Sequence, residues 1–226
     1  MRKRTGWILS GVLWLLAAAF VYLVRTVDVA PIGPEGTSVG LSRLNGEVSA
    51  AVGMNMLWYT VTEMLGYASL LVAVFFAGMG IVQLIRRRSL KKVDSSILAL
   101  GGLYALTAAL YVLFEKIVIN YRPVIMPGSE HVEASFPSSH TMLACVILGS
   151  AGMLAGRYIR KRGLQLTIQI LCGILIFAMV CGRMISGVHW FTDIVGALLF
   201  SGALLTLYAA TGSGRKQRRS HTVRPK

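Results

Sequence analysis

Three short stretches of this 226-residue chain hold side chains whose types and spacing could do chemistry: KIVINYRP from Lys116 to Pro123, ASFPSSH from Ala134 to His140, and GRMISGVHWFTD from Gly182 to Asp193. Lys116, Arg122 and Arg183 supply three cations. Arginine forks grip phosphate oxygens in pairs, and lysine adds a point charge. Ser138, Ser139 and His140 open an apolar run. A helix starting there would aim free backbone N–H groups and the positive end of its dipole at an anion. Pro123 and Pro137 would fix the backbone on either side. His189 and Asp193 are four residues apart. On one helix face, the carboxylate would accept a hydrogen bond from one ring nitrogen, set the tautomer, and leave the other nitrogen free to attack. His140 is then available to protonate a leaving oxygen. Nucleophile, acid and cationic cradle together make a phosphoryl-transfer set that calls for no metal and no other cofactor.

Each feature alone has a plainer explanation. ASFPSSH reads as a loop and helix N-cap, His189 and Asp193 as an interfacial hydrogen-bonded pair, and Lys116 and Arg183 as cations snorkelling toward headgroups. His140, His189 and Asp193 are also metal-ligand types, but three cations beside them suit an anion. A serine hydrolase built on Ser138 or Ser139 would lack its G-x-S-x-G elbow. The plain explanations have to coincide at every position, and the site reading does not.

Positioning these residues falls to apolar elements. The composition is 55% hydrophobic and 14% charged, against about 25% charged in a soluble domain, which leaves too little charge to coat a globule. An all-α polytopic membrane protein is expected, because a helix in lipid is free to be apolar all round. Six spans are predicted: Trp7 to Val24, Leu57 to Ile85, Ile97 to Ile119, Ser139 to Gly156, Leu164 to Ile185 and Trp190 to Ala210. The first follows MRKR and runs beyond Ala17 to Ala19, which favours an uncleaved signal anchor over a cleaved leader. One six-helix domain is expected over 1–211, with an outer loop over about 26–56 and a catalytic core over about 97–210. A basic tail over 212–226 is expected to be disordered.

The net charge of +14 belongs to topology and not to nucleic acid. The amino terminus, the loops after the second and fourth spans, and the tail hold 18 of the 23 basic residues; Arg25, Arg43, Lys116, Arg122 and Arg183 are left for the other side. Positive charge stays in the cytoplasm, so both termini are predicted inside and the three chemical stretches outside. Cys145, Cys172 and Cys181 lie in or at the ends of apolar runs and read as small hydrophobes. The loop from Thr26 to Ala50, with Pro31, Gly33 and Pro34, reads as turns that either fold over the site or move freely. Glu63, near the outer end of the second span, would pair with an outer cation, line substrate access, or stay solvated. Glu115 is expected on another helix face from Lys116, with no role, and His131 in solvent.

At these residues the sequence resembles the type-2 phosphatidic acid phosphatases, or lipid phosphate phosphatases, which share a helical core with vanadium haloperoxidases. The family pattern is K-x6-RP, PSGH and SR-x5-H-x3-D. Here the three parts are read as KIVINYRP, PSSH (Pro137 to His140) and GRMISGVHWFTD, with order, spacing and six-span setting taken to fit. Ser139 stands for the usual glycine and Gly182 for the usual serine. The resemblance implies that His189 attacks phosphorus and becomes a phosphohistidine, that Asp193 orients it, and that His140 protonates the departing oxygen. It also implies that Lys116, Arg122, Arg183, Ser138 and the Ser139 backbone hold the phosphoryl oxygens. The expected partners are the bilayer and a lipid phosphate: undecaprenyl diphosphate, phosphatidate or phosphatidylglycerol phosphate. The rival is a non-catalytic protein on the same fold that binds or moves anionic lipids. Oligomeric state is not legible.

Overall fold

Long runs of Leu, Val, Ile, Ala and Met with few breakers fold as helices, because in lipid every backbone N–H and C=O must be satisfied within the segment. The computed structural model describes residues 3–126 and 128–211. The expected basic tail over 212–226 lies outside the described residues. Seven α-helices occur among those described: α1 (Lys3–Thr26), α2 (Ser42–Val52), α3 (Met56–Arg87), α4 (Ser95–Lys116), α5 (Ser139–Tyr158), α6 (Arg162–Ile185) and α7 (Phe191–Ala210). Six of them, all but α2, are long and apolar enough to cross a membrane, so the chain is an all-α, multi-pass membrane protein.

The six expected spans are all present, with shifted ends. The third stops at Lys116 and not Ile119, because Ile117 leaves the helical region at φ −106°, ψ 81°. The sixth begins at Phe191, because Trp190 is its extended cap residue. The loop expected on the outer side holds more than turns. An antiparallel bridge joins Ala30 and Val39, and α2 follows it.

Helix α5 is the hub, packing on α3, α4, α6 and α7, while α1 lies along α7. The most buried residues follow that arrangement: Met142, Val146 and Leu154 of α5, and Ala197, Phe200 and Leu204 of α7. Leu71, Val74 and Phe75 of α3 and Ile170, Ile174 and Phe177 of α6 point outward, the ordinary outer surface of a protein solvated by acyl chains. A ring cluster of Phe114, Phe136 and Phe200, with centroids 5.2 to 5.6 Å apart, fills the space between α4, α7 and the approach to α5. At one end of the bundle the helices are tied by Asp94, just before α4. Its carboxylate accepts hydrogen bonds from Gln83 (3.1 Å) and Arg87 (3.2 Å) of α3 and from the Tyr158 hydroxyl (3.0 Å) of α5. The chemical residues gather at the other end.

Candidate active site

The start of α7 is built by its own cap. Asp193, the third helical residue, accepts the Trp190 backbone N–H through Oδ2 at 2.9 Å, which satisfies a donor that the helix leaves free. The same oxygen stands 3.5 Å from Nδ1 of His189. This corrects the shared-helix-face expectation. His189 precedes the helix, and Asp193 reaches back to it from the first turn. The separation exceeds a formed hydrogen bond, a looseness common in catalytic pairs before substrate arrives. Nε2 of His189 is buried and has no hydrogen-bond partner. Burial pushes this imidazole below its ordinary value; the Asp193 carboxylate pulls the other way, and Arg122 adds to the depression. The turn that delivers His189 needs Gly187 at φ +69°, where a Cβ would stand 1.9 Å from the Gly53 carbonyl oxygen.

The carboxylate's second oxygen is held by residues the sequence reading left out. Asn120, fully buried, donates from Nδ2 to Asp193 Oδ1 at 3.2 Å and to Thr192 Oγ1 at 3.2 Å. Asn45 of α2, also fully buried, donates to Thr192 Oγ1 at 3.0 Å and accepts the Thr192 N–H at 3.2 Å. The loop helix α2 is thus fastened to the start of α7. Asn120 sits inside KIVINYRP, and its location was a usable signal; Asn45 carries none.

At the start of α5, the Ser138 N–H donates to the Asp193 backbone carbonyl at 3.1 Å, which joins the two helix starts. The Ser138 hydroxyl is paired with Thr141 Oγ1 at 3.0 Å, so it is occupied within the fold. Ser139 and His140 face a cavity. His140 Nε2 lies 3.2 Å from Glu63 Oε1, and its buried Nδ1 has no partner.

The two arginines are each met by a glutamate. Arg122 Nε stands 2.9 Å from Glu133 Oε2, and its Nη1 reaches the Val188 carbonyl at 3.5 Å. The Arg183 side chain is wholly buried and donates from Nη2 to Glu63 Oε1. Its Cζ stands 5.3 Å from the centre of the Tyr59 ring, and its Nε and Nη1 have no partners. Buried unpaired guanidinium donors are costly unless an anion takes them. Gly182 allows this packing, since a Cβ there would fall 2.5 Å from Thr62 Cγ2 and 3.1 Å from Trp58. The serine expected of the family would need α3 to shift.

A cavity of 310 Å³ opens on these groups, with Arg122, Ser139, His140, His189, Glu115 and Glu133 on its wall. Ser138 and Asp193 stand behind that wall, in contact with Met142 and His189 of its lining, and Arg183 is joined to His140 through Glu63. Lys116 is exposed in the last turn of α4 and does not face the cavity, whereas Glu115 does. The chain itself explains the difference. KIVINYRP puts five residues between Lys116 and Arg122, one fewer than K-x6-RP, and the position seven before Arg122 is Glu115. The expected lysine is therefore displaced by one helical step, about 100° round the axis, and the spacing taken to fit falls one residue short.

The PAP2 superfamily model matches residues 96–216, more than half of the chain. No curated protein matches the sequence. Among solved structures, the crystal structure of the first transmembrane PAP2 type phosphatidylglycerolphosphate phosphatase from Bacillus subtilis aligns with a TM-score of 0.66 at 16% identity, over 93% of this chain and 99% of that one. At that identity the likeness is one of fold.

Proposed function

Since the chain belongs to the PAP2 superfamily, we propose that it is an integral-membrane lipid phosphatase that works through a phosphohistidine without metal, with residues 1–211 acting as one domain. The observation that carries this reading is the unpartnered Nε2 of His189, set in a cavity wall with His140 and Arg122 and backed by Asp193. Nε2 attacks phosphorus as the bond to the leaving oxygen breaks. His140 gives that oxygen its proton. Asp193 stabilises the imidazolium through Nδ1 and holds the tautomer that presents Nε2. Arg122, Arg183 and the Ser139 N–H hold the phosphoryl oxygens at the positive end of α5. Water, deprotonated by His140, then attacks phosphorus, breaks the P–N bond and frees phosphate.

The substrate is a phosphomonoester or diphosphate lipid headgroup: phosphatidylglycerol phosphate, phosphatidate or undecaprenyl diphosphate. The site is placed on the extracytoplasmic side of the cell membrane, with both termini in the cytoplasm, a reading that the basic loops support. Purified protein in detergent with EDTA, offered each lipid in parallel, is the direct test. Release is expected in the wild type and a loss of at least about 10³-fold in His189→Ala. No release from any lipid would move the reading to a lipid-binding or lipid-moving protein. A requirement for added metal would remove the phosphohistidine route.

A further inference from the structure

Glu63 meets two of the side chains to which the proposed reaction gives roles. Its Oε1 contacts both Arg183 Nη2 and His140 Nε2. On the phosphatase reading, on which this inference rests, one of these groups binds a phosphoryl oxygen and the other serves the leaving oxygen. We infer that Glu63 is an internal counter-ion that holds the phosphoryl seat of the empty enzyme, and that substrate phosphate must displace it from Arg183.

Three features support the exchange. First, the two partners differ in freedom. Arg183 is wholly buried beside Tyr59, whereas the Glu63 side chain keeps 19% exposure, so the carboxylate is the group able to leave. Second, Arg183 retains two buried donors, Nε and Nη1, without partners. A single carboxylate oxygen leaves these idle, while a phosphoryl group brings three oxygens to one fork. Third, α3 is drawn unusually close to the site. A Cβ on Gly66 would stand 2.7 Å from His140 Cδ2, and one on Gly182 would stand 2.5 Å from Thr62 Cγ2. These contacts lie on the turns of α3 that flank Glu63, so glycines on both sides of the contact bring its carboxylate within reach.

The consequence is kinetic. An occupied seat lowers the apparent affinity for phosphate by the fraction of time that the seat is free. The displaced carboxylate stays close and carries the same sign of charge as the product. By reclaiming Arg183 after hydrolysis, it helps expel phosphate. Glu63 is thus a residue that sets affinity and product release, acting on substrate through Arg183 and His140.

The test uses the full chain in detergent, with inorganic phosphate as the probe. Glu63→Gln keeps shape and a carbonyl acceptor for Arg183 but removes the charge. Its inhibition constant for phosphate is expected to fall about tenfold, corresponding to a seat free roughly a tenth of the time in the wild type. KM for the lipid should fall with it, and kcat should not rise, because release of product slows. Phosphate should also raise the Tm of Glu63→Gln at lower concentration than it does for the wild type, a readout that needs no turnover. An unchanged or weaker affinity for phosphate overturns the inference. Wild-type turnover with no gain in the variant overturns it alone; a gain in phosphate binding with no wild-type turnover on any lipid overturns the phosphatase reading alone. Should Glu63→Gln not elute as a folded species, Gly182→Ala carries the test. Its Cβ pushes α3 away without altering charge, and tighter phosphate binding is again expected, with no change or weaker binding again overturning the inference.

Discussion

On the proposed mechanism, His189 sets the acid side of the reaction. The attacking nitrogen must be unprotonated, and burial holds its folded value below the ordinary histidine range. Activity assigned to that group is therefore complete above its lowered value and is lost only as pH falls through it. The acid limb of kcat/KM is expected below about pH 6.5; a limb at or above that value would mean that another group controls attack. The displaced lysine gives a second expectation. Lys116→Ala should change kcat/KM by less than about fivefold, as for an exposed charge, while Glu115→Lys should tighten binding of inorganic phosphate by restoring a cation to the cavity wall. Steady-state kinetics on the two variants decides, and a collapse of activity in Lys116→Ala would contradict the placement. At this scale the gathering of His140, His189 and Asp193 was legible in the sequence, because they sit in short motifs. That Glu63 pairs with a cation was one of the readings left open for it; that the cation is Arg183 was not legible, because the two are 120 residues apart and only packing of α3 on α6 joins them. The register of Glu115 against Lys116 needed only a count of the residues before Arg122.

The start of α7 is the element on which the site depends, and it is fastened from outside the six spans. Asn120 meets Asp193 and Thr192, and Asn45 meets Thr192 from α2. Asn120→Leu leaves a buried carboxylate oxygen without its donor, which costs about 1–3 kcal/mol. A fall in kcat of at least about tenfold and a lower Tm are expected, whereas Asn45→Ala should lower Tm with a smaller effect on kcat because Asn120 remains. Detergent-stability scans beside turnover measurements separate the two. Equal and negligible effects would show that the network does not position the carboxylate. The six spans were legible because about 20 apolar residues in a row have one structural solution in lipid. The helix α2 was not, since SRLNGEVSAAV is short and mixed in character, and such helices depend on tertiary contacts more than on propensity. Its side-chain tie to α7 is made by Asn45 at Thr192, a pairing that no local pattern announces.

Across the whole molecule, polarity divides the bundle. The chemical residues share one end, and the loop from Arg88 to Asp94 joins α3 to α4 at the other. With Cys145, Cys172 and Cys181 replaced, a membrane-impermeant maleimide should label His131→Cys on intact cells and Arg88→Cys only after permeabilisation; the reverse pattern would invert the proposed topology. Helix α3 has 32 residues, about 48 Å at 1.5 Å each, against about 30 Å of hydrocarbon. It must tilt or project beyond the lipid, and Glu63 lies in its early turns. The tie at Asp94 gives that length a mechanical meaning. Gln83 and Arg87 fix α3 at the far end of the bundle, while Glu63 sits 20 residues away, about 30 Å along the axis. Treated as a rigid rod, the helix would be a lever with its pivot at Asp94 and its load at Arg183. A swing of about 3° about that pivot carries the Glu63 end by about 1.5 Å over this span, enough to part an ion pair while the grip at Asp94 barely shifts.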